Sequence, residues 1–145
     1  MIISHSPEET VLYAEKIGSL LRGGDIIAYR GGMGAGKTTF TRGLAAGMGL
    51  DDEVISPTFS LVNEYRGNGI TLYHFDMYRI ENEDELETTG FYDYPLENSV
   101  FAVEWSENIA SALPESAIII ELGYINENER SITVKGDERF ADFRD

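Results

Sequence analysis

Cysteine is absent and histidine occurs only at His5 and His74, which excludes a disulfide framework, a thiolate nucleophile and a Cys/His zinc centre. Positive charge is scarce: eleven Lys plus Arg stand against 26 Asp plus Glu, a net charge of −15. A field of that sign repels phosphate backbones and anionic lipid, so contact with a nucleic acid has to be local or made through a partner. No apolar run approaches the roughly 18 residues of a membrane span, and Met1 to Glu9 lacks the charged start and apolar stretch of a signal peptide. These absences predict a soluble cytoplasmic protein with no membrane contact and no zinc. Internal repeats and low-complexity tracts are missing too, and 145 residues suit a single domain over 1–145 with a packed core.

Ser6-Pro7-Glu8-Glu9 reads as a helix entrance, with Ser6 as cap, Pro7 at the first helical position and Glu9 reaching back in a capping box. Val11, Ala14, Ile17 and Leu21 follow at helical spacing, and Gly23-Gly24 stops the run. Asp25 to Arg30 suits a buried strand, Gly31 to Gly36 a glycine-rich turn, and Thr38 to Met48 a helix. Phe59 to Tyr65 and Ile70 to Phe75 read as a β-hairpin across the turn Arg66 to Gly69. A helical stretch over Glu83 to Thr88, a strand over Ser99 to Val103 and a short helix after Trp105 come next. Ala117 to Leu122 and Ser131 to Lys135 are two closing strands, after which the charged tail beyond Gly136 is expected to fray. The alternation predicts an α/β fold of the P-loop NTPase-like kind: three layers, with a mixed parallel/antiparallel sheet flanked by helices and the ligand beyond the strand carboxyl ends.

Gly31-Gly32-Met33-Gly34-Ala35-Gly36-Lys37-Thr38 satisfies G-x-x-x-x-G-K-[ST] in full, between a predicted strand and a predicted helix. Glycines let backbone N–H groups converge on phosphate oxygens, and the helix adds its free N–H groups and the positive end of its dipole. Gly32, Met33, Gly34, Ala35, Gly36, Lys37, Thr38 and Thr39 are therefore the nucleotide-binding candidates. Lys37 would bridge the β- and γ-phosphates, and Thr38 would place its hydroxyl on Mg²⁺. The bland alternative is a glycine-rich turn with a surface lysine. Against it, Lys37 is one of only three lysines and stands where phosphate chemistry requires one.

A phosphate loop needs an acid at the end of a neighbouring strand, for the metal or for the attacking water. Val100 to Glu104 and Leu72 to Asp76 both end so, which makes Asp76 and Glu104 candidates for metal binding and, with Lys37, for catalysis; which acid does which stays open, and each could simply end a strand in solvent. Thr58, in Ser56-Pro57-Thr58, stands where P-loop switches put a γ-phosphate sensor, or is a turn threonine fixed by Pro57. The acids Glu81, Glu83, Asp84, Glu85 and Glu87 read first as a solvated helix face and second as a docking surface. Trp105 reads as a core or rim aromatic before a base-stacking platform, and His74 as a packed side chain before a catalytic base. Nothing in the spacing selects an arginine finger among Arg42, Arg66 and Arg79. The nearest approach to the guanine-reading [NT]-K-x-D is Val134-Lys135-Gly136-Asp137, a poor match that favours adenine, hence ATP with Mg²⁺.

Four blocks, in order, carry a resemblance: the phosphate loop with Thr39-Phe40-Thr41-Arg42-Gly43; Ser56-Pro57-Thr58-Phe59-Ser60-Leu61-Val62-Asn63-Glu64-Tyr65; His74-Phe75-Asp76-Met77-Tyr78-Arg79; and Val103-Glu104-Trp105. Together they resemble the bacterial TsaE family, although Ser106 stands where that family commonly has Pro. The resemblance implies an ATPase needed for threonylcarbamoyl modification of the adenosine next to the anticodon of tRNA. It acts with TsaB and TsaD, reaches tRNA indirectly through that complex, and hydrolyses ATP weakly when alone. It also implies roles for Lys37 on phosphate, Thr38 on magnesium, Thr58 as switch, Asp76 as catalytic carboxylate, and Glu104 with Trp105 as an acidic-aromatic pair at the nucleotide. Two other function classes remain open at this point. A small-molecule kinase would need an acceptor pocket and usually a basic lid, yet Glu81 to Glu104 contains no Lys or Arg. A nucleotide-dependent binding switch would bind without useful turnover.

Overall fold

In the computed structural model, which describes residues 1–31, 36–54, 62–76, 95–104 and 113–144, eight strands and two α-helices follow one another. They are β1 (Ile2–Ser4), α1 (Pro7–Gly18), β2 (Ile26–Arg30), α2 (Lys37–Gly47), β3 (Asp52–Val54), β4 (Val62–Gly67), β5 (Ile70–Asp76), β6 (Ser99–Glu104), β7 (Ile118–Tyr124) and β8 (Arg130–Lys135). One sheet holds all eight, in the order β1-β8-β7-β2-β6-β5-β4-β3. The middle four, β7, β2, β6 and β5, are parallel to one another, and every pairing outside them is antiparallel, giving the mixed sheet expected. The parallel middle is where the sequence is most continuously apolar, as burial on both faces demands: Val100, Phe101, Ala102 and Val103 of β6 are all buried.

Helix α1 begins as its sequence dictates. Ser6 caps it, accepting from the Glu9 amide at 3.0 Å, Pro7 opens it, and the Glu9 carboxylate accepts from the His5 amide one residue outside the cap. It ends at Gly18, five residues before the glycine pair taken as its stop. Successive Leu20-to-Ile17 and Leu21-to-Gly18 amide bonds unwind it there. The two helices meet almost backbone to backbone: a Cβ on Gly18 would lie 2.2 Å from the Leu44 carbonyl oxygen, and one on Gly47 2.0 Å from that of Glu15. Both helices cover one face of the sheet, with Phe40 and Leu44 of α2 and Ile17 of α1 fully buried against Ile27, Tyr29 and Ile120. On the other face Tyr73, Phe75 and Phe101 pack edge-on or tilted, at centroid distances of 5.1 to 6.3 Å. The predicted helical stretch over Glu83 to Thr88 and the short helix after Trp105 lie outside the described residues.

Three elements depart from expectation. β1 and β3 were not anticipated; each has three residues, too few for a periodic signal, and each sits at a sheet edge. The tail beyond Gly136 does not fray. It forms a 3-10 helix over Glu138–Phe143, in which Phe140 and Phe143 are buried, Phe143 edge-on to Tyr13. Each buried phenyl contributes on the order of 2 kcal/mol, and Arg139 adds a two-pronged bond to Asp25 at 2.9 and 3.1 Å. The hairpin of β4 and β5 forms, with Phe59 to Leu61 of its expected first strand outside the described residues, but its turn is the tighter Asn68-Gly69 pair with both φ positive, so Arg66 and Gly67 remain in the strand. Among the described residues no helix is long and apolar enough to cross a membrane.

Candidate functional site

Strand β2 ends by entering Gly31 at φ +127, where a Cβ would stand 2.3 Å from the Leu122 carbonyl oxygen of β7. Only glycine fits the backbone conformation and the space together. Gly32, Met33, Gly34 and Ala35 lie outside the described residues. Gly36 caps α2 from the left-handed region at φ +86, a backbone conformation that selects glycine. As a glycine, Gly36 brings α2 no side-chain cap, and the first turn of the helix contains no acid. Its opening amides are thus aimed past the carboxyl end of β2 with no side chain of the cap to receive them. Lys37 is the first helical residue and only 8% exposed, whereas Thr38 and Thr39 after it are exposed.

The sheet brings the two acids to one level. Asp76 ends β5, Glu104 ends β6, and they are register partners on adjacent parallel strands. One step past the paired Ala28 and Val103, Tyr29 of β2 stands level with Glu104. The side chains of Tyr29, His74, Asp76 and Glu104 share the face that α2 covers, since residues two apart on a strand point the same way and register partners share a face. Asp76 is exposed, and Glu104 is part-buried.

Beneath them runs a buried polar network. His74, 4% exposed, places Nε2 2.7 Å from Glu104 Oε2. Its ring lies edge-on to Tyr29, centroids 6.3 Å apart. The Tyr29 hydroxyl is 2.7 Å from Thr41 Oγ1, and Thr41 donates in turn to the Lys37 carbonyl at 2.8 Å. Because the Thr41 hydrogen is committed to that carbonyl, Tyr29 is the donor of its pair. Burial pushes the Tyr29 phenol far above its ordinary range; the Thr41 bond opposes the shift and the Glu104 charge adds to it, so Tyr29 stays a neutral donor. The strand and the first turn of the helix are thereby fixed to each other just below the loop. Tyr29, Thr41 and the His74–Glu104 contact were not read as parts of the site. A hydroxyl inside the otherwise apolar run Asp25 to Arg30 was the available signal for Tyr29.

Beside the start of α2 opens a cleft of about 110 Å³, bounded by Pro7 and Thr10 of α1, Gly36 and Thr39 of α2, and Glu127 and Asn128 of the β7–β8 turn. That turn is held by the Asn126 side-chain oxygen, which accepts from the amides of Asn128 and Glu129, both at 2.9 Å. The cleft joins three stretches far apart in sequence and had no counterpart in the sequence reading.

Of the remaining candidates, Thr58 and Trp105, with Arg79 and the acids from Glu81 to Glu87, lie outside the described residues. Arg42 reaches Glu53 at 3.8 Å, and Arg66 pairs with Glu64 in its own strand. Lys135 and Asp137, in the poor guanine-type match, are engaged with Glu121 and Arg139. Oxygen donors are what the site offers a metal: the Thr38 hydroxyl and the Asp76 and Glu104 carboxylates. That is the donor class Mg²⁺ takes, and it needs only one or two protein ligands beside phosphate and water. Among the described residues no group of three His, Asp or Glu is poised to enclose a metal by itself.

Residues 4–132 match the family model described as Threonylcarbamoyl adenosine biosynthesis protein TsaE. The chain is 37% identical over 132 residues to the tRNA threonylcarbamoyladenosine biosynthesis protein TsaE of Treponema pallidum (strain Nichols), covering 91% of this chain and 97% of that one. It is 40% identical over 128 residues to the protein of the same name from Bacillus subtilis (strain 168), covering 88% and 80%. Among solved structures, the crystal structure of Bacillus subtilis YdiB superposes with a TM-score of 0.72 at 31% identity, over 98% of this chain and 88% of that one. On the family match over residues 4–132 and these identities, the chain belongs to the TsaE family of tRNA threonylcarbamoyladenosine biosynthesis proteins.

Proposed function

We propose that this chain, as one P-loop ATPase domain over residues 1–145, binds Mg-ATP and hydrolyses it, weakly alone and faster on a TsaB–TsaD complex that carries out threonylcarbamoyl transfer to tRNA. The observation that carries the reading is the start of α2: a left-handed Gly36, no side-chain cap, no acid in the first turn, and Lys37 in first place, all at the carboxyl end of β2. An acidic chain that sets a helix N-terminus with no acid in its first turn and one of its three lysines at a single point favours an anion there.

The triphosphate lies along Gly31 to Thr38, with the loop amides and Lys37 taking up the charge that spreads over the terminal phosphoryl group as it departs. Lys37, Thr38 and Thr39 belong to the rigid first turns of α2, so this cradle is preorganised by Phe40 in the core and by the Thr41–Tyr29 bond. Mg²⁺, when bound, neutralises β- and γ-phosphate charge; Thr38 and one of the carboxylates Asp76 and Glu104 would hold it. The other carboxylate accepts a hydrogen bond from the attacking water and orients it in line. Thr58 and Trp105 are assigned to the γ-phosphate switch and the nucleotide rim from the family motif. ATP hydrolysis resets the partner complex and no group passes from ATP to tRNA; the protein works in the cytoplasm and meets tRNA only through the complex.

Phosphate release by the purified chain, with and without TsaB and TsaD, tests this directly. Slow release that rises when both partners are present is expected, and Asp76→Ala should reduce turnover far more than it reduces ATP affinity. Equal loss of both in Asp76→Ala contradicts its catalytic role, and absence of stimulation contradicts the partner dependence.

A further inference from the structure

We infer that His74 is a positioning residue for Glu104: its imidazole holds the carboxylate in the one orientation from which its other oxygen can serve the metal of the nucleotide site. The inference rests on the Mg-ATP reading above and assigns to His74 a role no sequence block specifies.

Packing alone gives a poor account of a histidine here. The position is almost fully buried on β5, where a leucine or phenyl group would fill the space without any polar atom to satisfy. The imidazole instead makes one polar contact, Nε2 to Glu104 Oε2 at 2.7 Å, and its buried Nδ1 has no hydrogen-bond partner among the described residues. An orphaned ring nitrogen is a cost, and it is tolerated together with a short charge-assisted bond aimed at a single oxygen. The unpartnered Nδ1 also fixes the tautomer: the proton is on Nε2, which donates to the carboxylate.

The ring itself is held from the side by Tyr29, whose edge-on contact at 6.3 Å belongs to the chain of bonds through Thr41 to the Lys37 carbonyl. Glu104 is therefore oriented by a group that is tied, through Tyr29, to the first turn of the phosphate-binding helix. A glutamate on a strand end has three side-chain torsions to lose, and anchoring Oε2 removes most of that freedom before any ligand arrives. Oε1 is the oxygen His74 leaves for other partners, on the same face and at the same level as Asp76. Histidine and carboxylate pairs of this kind act by orienting the group that meets the metal, and their loss typically costs 10- to 100-fold in metal affinity.

The test compares His74→Leu, which removes the donor, with His74→Gln, whose amide N–H can replace it. The probe is a fluorescent non-hydrolysable ATP analogue, titrated with Mg²⁺ on the purified chain and separately in EDTA. His74→Leu should raise the half-saturating Mg²⁺ concentration about tenfold while leaving the metal-free affinity for the analogue unchanged. His74→Gln should recover most of that loss, and in a Glu104→Gln background His74→Leu should add nothing. Unchanged Mg²⁺ dependence in His74→Leu, equal loss of metal-free affinity in both variants, or full additivity with Glu104→Gln each overturns the inference. If His74→Leu does not fold, a His74→Gln chain that folds but shows the full tenfold loss overturns it as well. A wild-type chain that binds the analogue but ignores Mg²⁺ overturns this inference alone; one that does not bind the analogue at all overturns the Mg-ATP reading with it.

Discussion

The two helices lie side by side on the same face of the sheet, yet they begin in opposite ways. α1 satisfies its own start: Ser6 receives the Glu9 amide, Pro7 supplies a residue with no amide to satisfy, and Glu8 and Glu9 meet the positive end of the dipole. α2 does none of this. Its cap is a glycine in the left-handed region, its first turn has no acid, and its first residue is a cation. A glycine cap in place of serine makes such a start the less stable by a few tenths of a kcal/mol at most. On the proposed Mg-ATP reading, the difference marks which helix is finished by the protein and which by a ligand.

Breaking the second start should cost function without much stability. Lys37→Ala is expected to have the largest effect, lowering turnover about 100-fold or more by removing a charge contact strongest in the transition state, with the melting temperature little changed. Rates of phosphate release and a thermal melt check both halves. Next comes the attempt to make α2 resemble α1: Thr39→Glu puts an acid into an exposed position of its first turn. The helix should gain about 0.3–1 kcal/mol, while affinity for ATP falls about tenfold through repulsion of the phosphates. A variant that is both more stable and tighter for ATP would show that the bare dipole end has no part in binding. The smallest effect is expected from Ser6→Ala, which removes the cap of α1. Denaturant unfolding should show a loss of about 1 kcal/mol, with ATP affinity unaltered.

The same contrast explains what could be read in advance. The entrance of α1 and the glycine pattern before α2 are local devices, written within eight consecutive residues each, so Ser6, Gly36, Lys37 and Thr38 were legible without any knowledge of packing. The strand-end acids Asp76 and Glu104 were legible because an apolar run ending in an acid is also local. The hydrogen bond between His74 and Glu104 was not: it joins residues 30 apart and depends on the register of β5 against β6. The cleft bounded by α1, α2 and the β7–β8 turn was hidden for the same reason. In the tail, eight of the last ten residues after Lys135 are charged or small, and this masked Phe140 and Phe143, whose spacing matters only because β8 and α1 offer a surface to receive them. β1 and β3 escaped because three-residue edge strands draw their existence from a neighbour and not from their own composition.

The claim on which the account turns is that the open start of α2 receives the phosphates of ATP and not merely some part of a nucleoside. Calorimetric titration of the purified chain with ATP, ADP and adenosine, in Mg²⁺, measures this with no dependence on turnover or partners. Binding of ATP and ADP with adenosine weaker by at least about a hundredfold, or about 2.7 kcal/mol, is the predicted result, with the advantage lost in Lys37→Ala. Comparable affinity for adenosine and ATP, or an ATP affinity that Lys37→Ala leaves intact, would contradict it.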